Sequence, residues 1–61
     1  MNIQCKWSPN NDDMIIYSGN RQIGGVELSC GEPVLKLCDY QSLTFNEIEY
    51  VMDCFYNMPK N

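Results

Sequence analysis

The sequence predicts a small α+β domain: a four-stranded antiparallel β-meander followed by one C-terminal amphipathic α-helix packed on one face of the sheet. Three observations predict this fold class. Short β-branched and aromatic runs alternate with turn formers, the apolar period changes in the last third of the chain, and a helix-capping pattern marks the change. Because 61 residues suffice for one hydrophobic core, we expect a single domain over 1–61, with the meander in 1–38 and the helix in 44–58.

The first two strands follow from residue alternation and residue type. From Ile3 to Trp7, apolar side chains alternate with polar ones, which is typical of a strand with one buried face. The turn formers of Ser8–Asp13 predict a loop, and the β-branched and aromatic run Met14–Ser18 predicts the second strand. Glycine comes first in the pair Gly19-Asn20, which suits a type II′ turn, so we expect a hairpin with the following "RQIGGVEL".

A pair of glycines interrupts this third strand. Ile23 is out of phase with Val26 and Leu28, and a β-bulge at Gly24-Gly25 would insert one residue and restore a shared face. The alternative is a contact site, in which the bare glycine backbone receives a partner or a ligand.

The fourth strand follows the turn signal "CGEP", Cys30 to Pro33. The run "VLKLC" then predicts a short strand with Leu35 and Leu37 on one face. This strand completes the meander.

The helix begins at the clearest local pattern in the chain. Thr44 and Glu47 fit a capping box, and Leu43 and Ile48 occupy the positions of a hydrophobic staple. The apolar stripe expected to face the sheet is Phe45, Ile48, Val51, Met52 and Phe55, and the polar side is Asn46, Glu49, Asp53 and Asn57. Pro59 ends the helix.

The composition argues against several classes of function. The chain contains no histidine, the commonest general acid or base and the commonest metal ligand, so we expect no enzymatic activity. Four Lys and Arg against eight Asp and Glu give a net charge of −4, which disfavours direct binding to nucleic acid. No apolar run is long enough to span a bilayer and the N-terminus lacks a signal-peptide core. We therefore expect a cytoplasmic protein with no membrane contact and no cofactor.

The cysteines are the candidates for a structural staple. In a reducing compartment they are expected to be free thiols buried in the core. The alternatives are two disulfides, which an even number of cysteines permits, or a zinc-stabilised structural module whose ligands would be Cys5, Cys30, Cys38 and Cys54. Their spacing lacks the close Cys pairs of a zinc knuckle, so the sequence favours the thiols.

The second strand leaves an apolar pair on the sheet face that the helix does not cover. Ile15 and Tyr17 alternate with Met14 and Ile16, so one pair must point away from the helix. An exposed Ile and Tyr beside an unpaired strand edge would form a protein-binding surface, and a homodimer is the simplest way to cover it. Otherwise the tail, the loops or the strand twist would cover this pair.

These observations favour a small non-enzymatic protein-binding module that regulates or inhibits a larger host protein. By analogy of size and composition, such acidic proteins are typical of bacteriophages and mobile elements. The alternative is an acidic inhibitor that mimics nucleic acid and occupies a site built for phosphates. The residues expected at the partner interface are Ile15, Tyr17, Glu49, Asp53 and Tyr56.

Overall fold

A computed structural model describes residues 2–61, whereas Met1, with which the predicted domain begins, lies outside the described residues. The described residues form one antiparallel sheet of order β1-β2-β3-β4 and one α-helix that packs against it, which confirms the predicted α+β fold. Among residues 2–61, no helix has the length and the apolar character needed to cross a membrane. The elements are β1 (Ile3–Trp7), β2 (Met14–Ser18), β3 (Arg21–Ser29), β4 (Glu32–Leu37) and α1 (Phe45–Asn57).

Both two-residue hairpins depend on positive backbone φ angles. In the β2–β3 turn, Gly19 has φ +62°, as a type II′ turn requires at its first central residue. In the β3–β4 turn, Cys30 has φ 53° and Gly31 has φ 83°, which is the pattern of a type I′ turn. This second turn is shorter than the predicted four-residue turn, so β4 begins at Glu32 instead of residue 34.

The pairing of β2 with β3 contains the expected irregularity, one residue earlier than predicted. Ile16 faces Gly24 whereas Tyr17 faces Gln22, which leaves Ile23 as the extra residue of the bulge. The insertion turns Ile23 toward the core, where only 3% of its surface is exposed.

The two glycines of β3 allow the neighbouring strands to come close. A Cβ atom at Gly24 would collide with the carbonyl oxygen of Lys36 in β4, and one at Gly25 would lie 2.8 Å from the carbonyl oxygen of Met14 in β2. The close backbone approach within the sheet accounts for both glycines, and the same pair also lines a depression of about 290 Å³ that a ligand or partner could reach.

The core lies between α1 and the first three strands. Trp7 joins them: its ring centroid is 5.4 Å from that of Phe55, and its Nε1 donates a 3.0 Å hydrogen bond to the carbonyl oxygen of Met58. The helix contacts β1 more than any other strand. The buried core residues are Ile3, Cys5, Trp7, Met14, Ile16, Ile23, Val26 and Val51.

The predicted capping box is present at the start of α1. The backbone N–H of Glu47 donates to Thr44 Oγ1 over 3.1 Å, and the backbone N–H of Thr44 donates to Glu47 Oε1 over 2.8 Å. Leu43, just before the cap, packs against the core. Local side-chain chemistry therefore sets where the helix begins.

The predicted apolar stripe of α1 is correct in part: Val51 is buried and Phe55 packs against the core. Phe45 and Met52 are instead 89% and 53% exposed, and Cys54 and Met58, which the prediction left out, pack against the core. The reason is that α1 lies mainly over β1, so the buried stripe is displaced around the helix from the centre of its apolar residues. Part of the apolar surface of α1 consequently faces solvent beside β3 and β4.

Candidate functional site

An apolar groove of about 220 Å³ lies between α1 and the β3–β4 part of the sheet. Its walls contain aliphatic and aromatic side chains together with one proline, and no charged residue. The lining residues are Val26, Pro33, Leu35, Ile48, Val51, Met52, Phe55 and Tyr56. We call this feature the β4 groove.

The register of the sheet explains the floor of the β4 groove. Val26 of β3 faces Leu35 of β4, and two residues further along Leu28 faces Pro33, so these four side chains share one face of the sheet. The bulge places Ile23 on the same side of β3 as Val26. Because α1 lies mainly over β1, it covers this face of β4 only in part, and none of the residues of β4 is buried.

The rim of the β4 groove is exposed and apolar. Met52 and Tyr56, which line the groove, are 53% and 65% exposed. Leu28, which is paired with Pro33 beside the groove, is 58% exposed. As predicted, Leu28 shares a face of β3 with Val26. The ring of Tyr56 packs edge-on against Phe55, with the centroids 5.5 Å apart. Contiguous exposed apolar side chains around a concavity are typical of a binding surface rather than of ordinary surface composition.

The helical side of the β4 groove carries negative charge. Glu49 lies three residues before Met52, and Asp53 three residues before Tyr56, which makes each carboxylate a surface neighbour of a rim residue. The sequence of α1 contains no Lys or Arg. Lys36 of β4 is turned to the opposite face, where its Nζ lies 2.6 Å from Glu27 Oε1.

The lining of the β4 groove supports contact rather than chemistry. It offers apolar surface and a single phenol hydroxyl, and it holds no carboxylate, thiol or amine that could act as a general acid, a general base or a nucleophile.

The predicted interface pair of β2 lies on the other side of the sheet. Met14 and Ile16 are the fully buried pair, so Ile15 and Tyr17 point away from α1. β2 is an interior strand, which contradicts the expectation of an unpaired edge beside this pair. Both side chains are half-buried, and Lys6 Nζ lies 5.6 Å from the Tyr17 ring centroid.

The five predicted interface residues therefore do not form one surface. Glu49, Asp53 and Tyr56 lie on the exposed side of α1, and only Tyr56 lines the β4 groove. Ile15 lines a shallower depression of about 290 Å³ on the open sheet face, whose border includes the ion pair of Glu27 with Lys36.

Sequence reasoning missed most of the β4 groove. One signal was present: Phe45, Ile48, Met52 and Tyr56 form a second apolar row along α1 at helical spacing, beside the row that packs on the core. With two adjacent apolar rows, the apolar face of α1 is wider than the part that packs on the core. The second row could therefore have indicated an apolar surface beside the core.

The structure does not bring the proposed zinc ligands together. Cys30 lies in the turn before β4 and Cys38 just after it, and a strand of six residues separates them by about 20 Å. Among residues 2–61, no group of three or more Cys, Asp, Glu or His could hold a metal ion. All four cysteines are free thiols in the described chain.

The cysteines also differ in environment, which corrects the expectation of four buried thiols. Cys30 and Cys38 are exposed, Cys5 is buried and Cys54 is half-buried. Burial raises the pKa of the Cys5 thiol from 9.0 to about 12, and the neighbouring Cys54 thiol adds to the shift. A thiol with this pKa stays protonated at neutral pH and is a poor nucleophile.

No protein-family model matches the chain, and neither does any of the curated proteins or solved structures with which it was compared.

Proposed function

We propose that this protein is a non-enzymatic protein-binding module that regulates or inhibits a larger protein through the β4 groove. The observation that carries the proposal is the apolar concavity between α1 and β4, which includes the exposed side chains of Met52 and Tyr56 and continues past Pro33 to the exposed Leu28 paired with it. Its occupant is an apolar segment of the partner, flanked by Lys or Arg.

A protein segment suits the β4 groove better than a small molecule does. Pockets for small ligands usually enclose about 300–1,000 Å³. At about 220 Å³ the β4 groove is smaller, and its apolar surface continues outside the concavity onto Leu28. An extended or helical segment would cover both.

The charge of the occupant follows from complementarity. Glu49 and Asp53 stand beside the rim, and the whole chain carries a net charge of −4. Cations that flank the apolar segment would meet these carboxylates, steer the encounter and disfavour acidic competitors.

The biological setting of the proposal follows by analogy of size and composition. Small, acidic proteins include inhibitors that bacteriophages and mobile elements use against host proteins in the cytoplasm.

The test compares two matched variants of the immobilised protein in a candidate host lysate. Met52→Asp places a charge in the β4 groove, whereas Tyr40→Asp makes a similar apolar-to-acidic change at a fully exposed loop residue outside it. We expect the wild type and Tyr40→Asp to retain the same protein, and Met52→Asp to bind it at least about tenfold more weakly, a change of about 1.4 kcal/mol.

Salt dependence separates the proposal from nucleic-acid mimicry. Apolar burial predicts that binding survives high salt with a moderate loss, because salt screens only the flanking charges. A partner that is released steeply by salt, and that binds Met52→Asp as well as the wild type, would contradict the β4 groove and favour the mimic.

A further inference from the structure

We infer that the partner segment binds as an extended strand, adding a fifth strand to the sheet along the free edge of β4. This inference rests on the proposed function, because it specifies how the same groove is occupied. β4 is the last strand of the order β1-β2-β3-β4, so one of its sides has no neighbouring strand among the described residues.

The direction of the β4 backbone groups can be read from one hydrogen bond. The N–H of Cys38 donates to the carbonyl oxygen of Ile23 over 2.8 Å, so the backbone of Cys38 points toward β3. Backbone groups alternate in direction along a strand, so Lys36 also points toward β3, whereas Leu35 and Leu37 point away from it. The free edge therefore presents the N–H and C=O groups of Leu35 and Leu37.

Pro33 can occupy this edge strand without the loss of a hydrogen bond between β3 and β4. By the same alternation its backbone faces outward, where the missing N–H leaves no gap in the pairing with β3. Its carbonyl oxygen remains available to an added strand. The backbone groups of Pro33, Leu35 and Leu37 can therefore all pair with an added strand. Leu35 and Leu37 offer an N–H and a C=O group each, and Pro33 offers a C=O group only.

The β4 groove lies directly beside this edge. Leu35 contributes its side chain to the groove and its outward backbone groups to the edge. A strand added about 4.8 Å from β4 would place every second side chain on the face that α1 flanks, beside Pro33 and Leu35. Main-chain bonds and side-chain insertion then act together, as in other complexes formed by β-strand addition.

The opposite edge of the sheet does not offer the same combination. α1 packs over β1, and all three inward side chains of that strand, Ile3, Cys5 and Trp7, are buried. The depression that lies beside β1 has mostly polar walls, to which Asn2, Gln4 and Ser18 contribute.

A second copy of this chain fits less well than a basic segment. Pairing two β4 edges about a two-fold axis would direct the groove sides of both helices toward each other, and with them Glu49 and Asp53 of each copy. Each copy also carries a net charge of −4, so the approach is repulsive.

The experiment uses ¹⁵N-labelled full-length protein and two synthetic probes. The first is the blocked peptide Lys-Val-Thr-Val-Thr-Val-Lys, which is apolar on one face and basic at both ends. The second has the same sequence with N-methyl groups on the amides of both edges, so that it keeps the side chains and cannot donate a ladder bond in either strand direction. Amide hydrogen exchange and NMR shifts are measured with each.

We expect the first peptide to slow exchange at the Leu35 and Leu37 amides roughly tenfold when about nine in ten molecules are bound. The Lys36 amide, already directed toward β3, serves as the internal control and should change little. The N-methylated peptide should give no protection at the Leu35 or Leu37 amide, because it cannot donate backbone hydrogen bonds to β4.

Three results would overturn the inference. Equal binding of both peptides, with shifts in α1 and no protection at Leu35 or Leu37, would mean that side chains alone hold the segment, and the proposed function would stand. If the Leu35 and Leu37 amides were protected without any peptide, and this protection rose with protein concentration, the occupant would be a second copy of the chain. Absence of binding by either peptide would also reject strand addition. The proposed function itself fails only if Met52→Asp leaves partner capture unchanged.

Discussion

The two ends of the sheet differ in how far their apolar side chains are buried under α1. In β1 and β2, which we call the covered half, every side chain that faces α1 from Ile3 to Ile16 is buried, and Met14 and Ile16 have no exposed surface. In β3 and β4, the open half, Ile23 and Val26 are still buried, but on the same face Leu28 is 58% exposed and no residue of β4 is buried. The difference shows that one helix stabilises the fold from one side and leaves apolar surface free on the other.

The largest expected contrast comes from truncating one aliphatic side chain in each half. Ile16→Ala should reduce the free energy of unfolding by about 2–5 kcal/mol, because it removes buried methyl groups and leaves a cavity. Leu28→Ala should reduce it by less than about 1 kcal/mol, because Leu28 is mostly exposed. Urea denaturation measures both. Similar losses in the two variants would mean that the open half is covered in solution.

Gly24→Ala tests the close approach of β3 and β4, where the open half joins the rest of the sheet. The added Cβ would collide with the carbonyl oxygen of Lys36, a backbone atom that cannot rotate away. We expect a loss of about 1–3 kcal/mol in stability and a weaker β3–β4 pairing. Thermal denaturation with NMR exchange at Lys36 provides the measurement. Unchanged stability would show that β4 is free to shift.

Thr44→Ala tests how firmly α1 is held over the covered half. Loss of the Oγ1 acceptor leaves the Glu47 N–H without its cap partner and should cost about 1 kcal/mol. Ser42→Ala, at an exposed residue just before the cap, is the matched control and should change stability little. If both variants unfold at the same urea concentration as the wild type, packing alone positions the helix.

The smallest expected effect is a pH dependence of the free energy of unfolding, caused by Cys5 in the covered half. The pKa of Cys5 is raised from 9.0 to about 12 by burial, so above pH 9 the unfolded chain loses this proton and the folded chain keeps it. Stability should therefore fall with rising pH, by less than about 1 kcal/mol between pH 8 and pH 9.5. Cys5→Ala should abolish this part of the slope, as seen in urea titrations at each pH. A slope identical in both proteins would locate the titrating group elsewhere.

Local features of the fold were predictable because their causes are local. The capping box of Thr44 with Glu47 and the glycine turn at Gly19 each depend on a few consecutive residues, and both are present. The bulge was also predictable, since Ile23 had to change phase to reach the core, although its position was wrong by one residue.

The site was less predictable because it depends on where α1 lies across the sheet. The apolar residues of α1 form two adjacent rows, and the sequence does not tell which row meets the strands. Choosing the middle of the apolar face predicted that Met52 is buried, and it overlooked Cys54 and Met58. The β4 groove is the space left by the displaced helix, so no single segment encodes it.

The C-terminal residues carry a consequence for the order in which this chain folds. Asn61 exchanges hydrogen bonds with Asn11 and Ser8, and Lys60 lies over the ring of Trp7 with its Nζ 4.9 Å from the centroid. These contacts join residues about fifty positions apart, so β1 gains them only after residues 58–61 have left the ribosome. Folding during translation can form the meander hairpins earlier, but the packing of Trp7 must wait for Lys60.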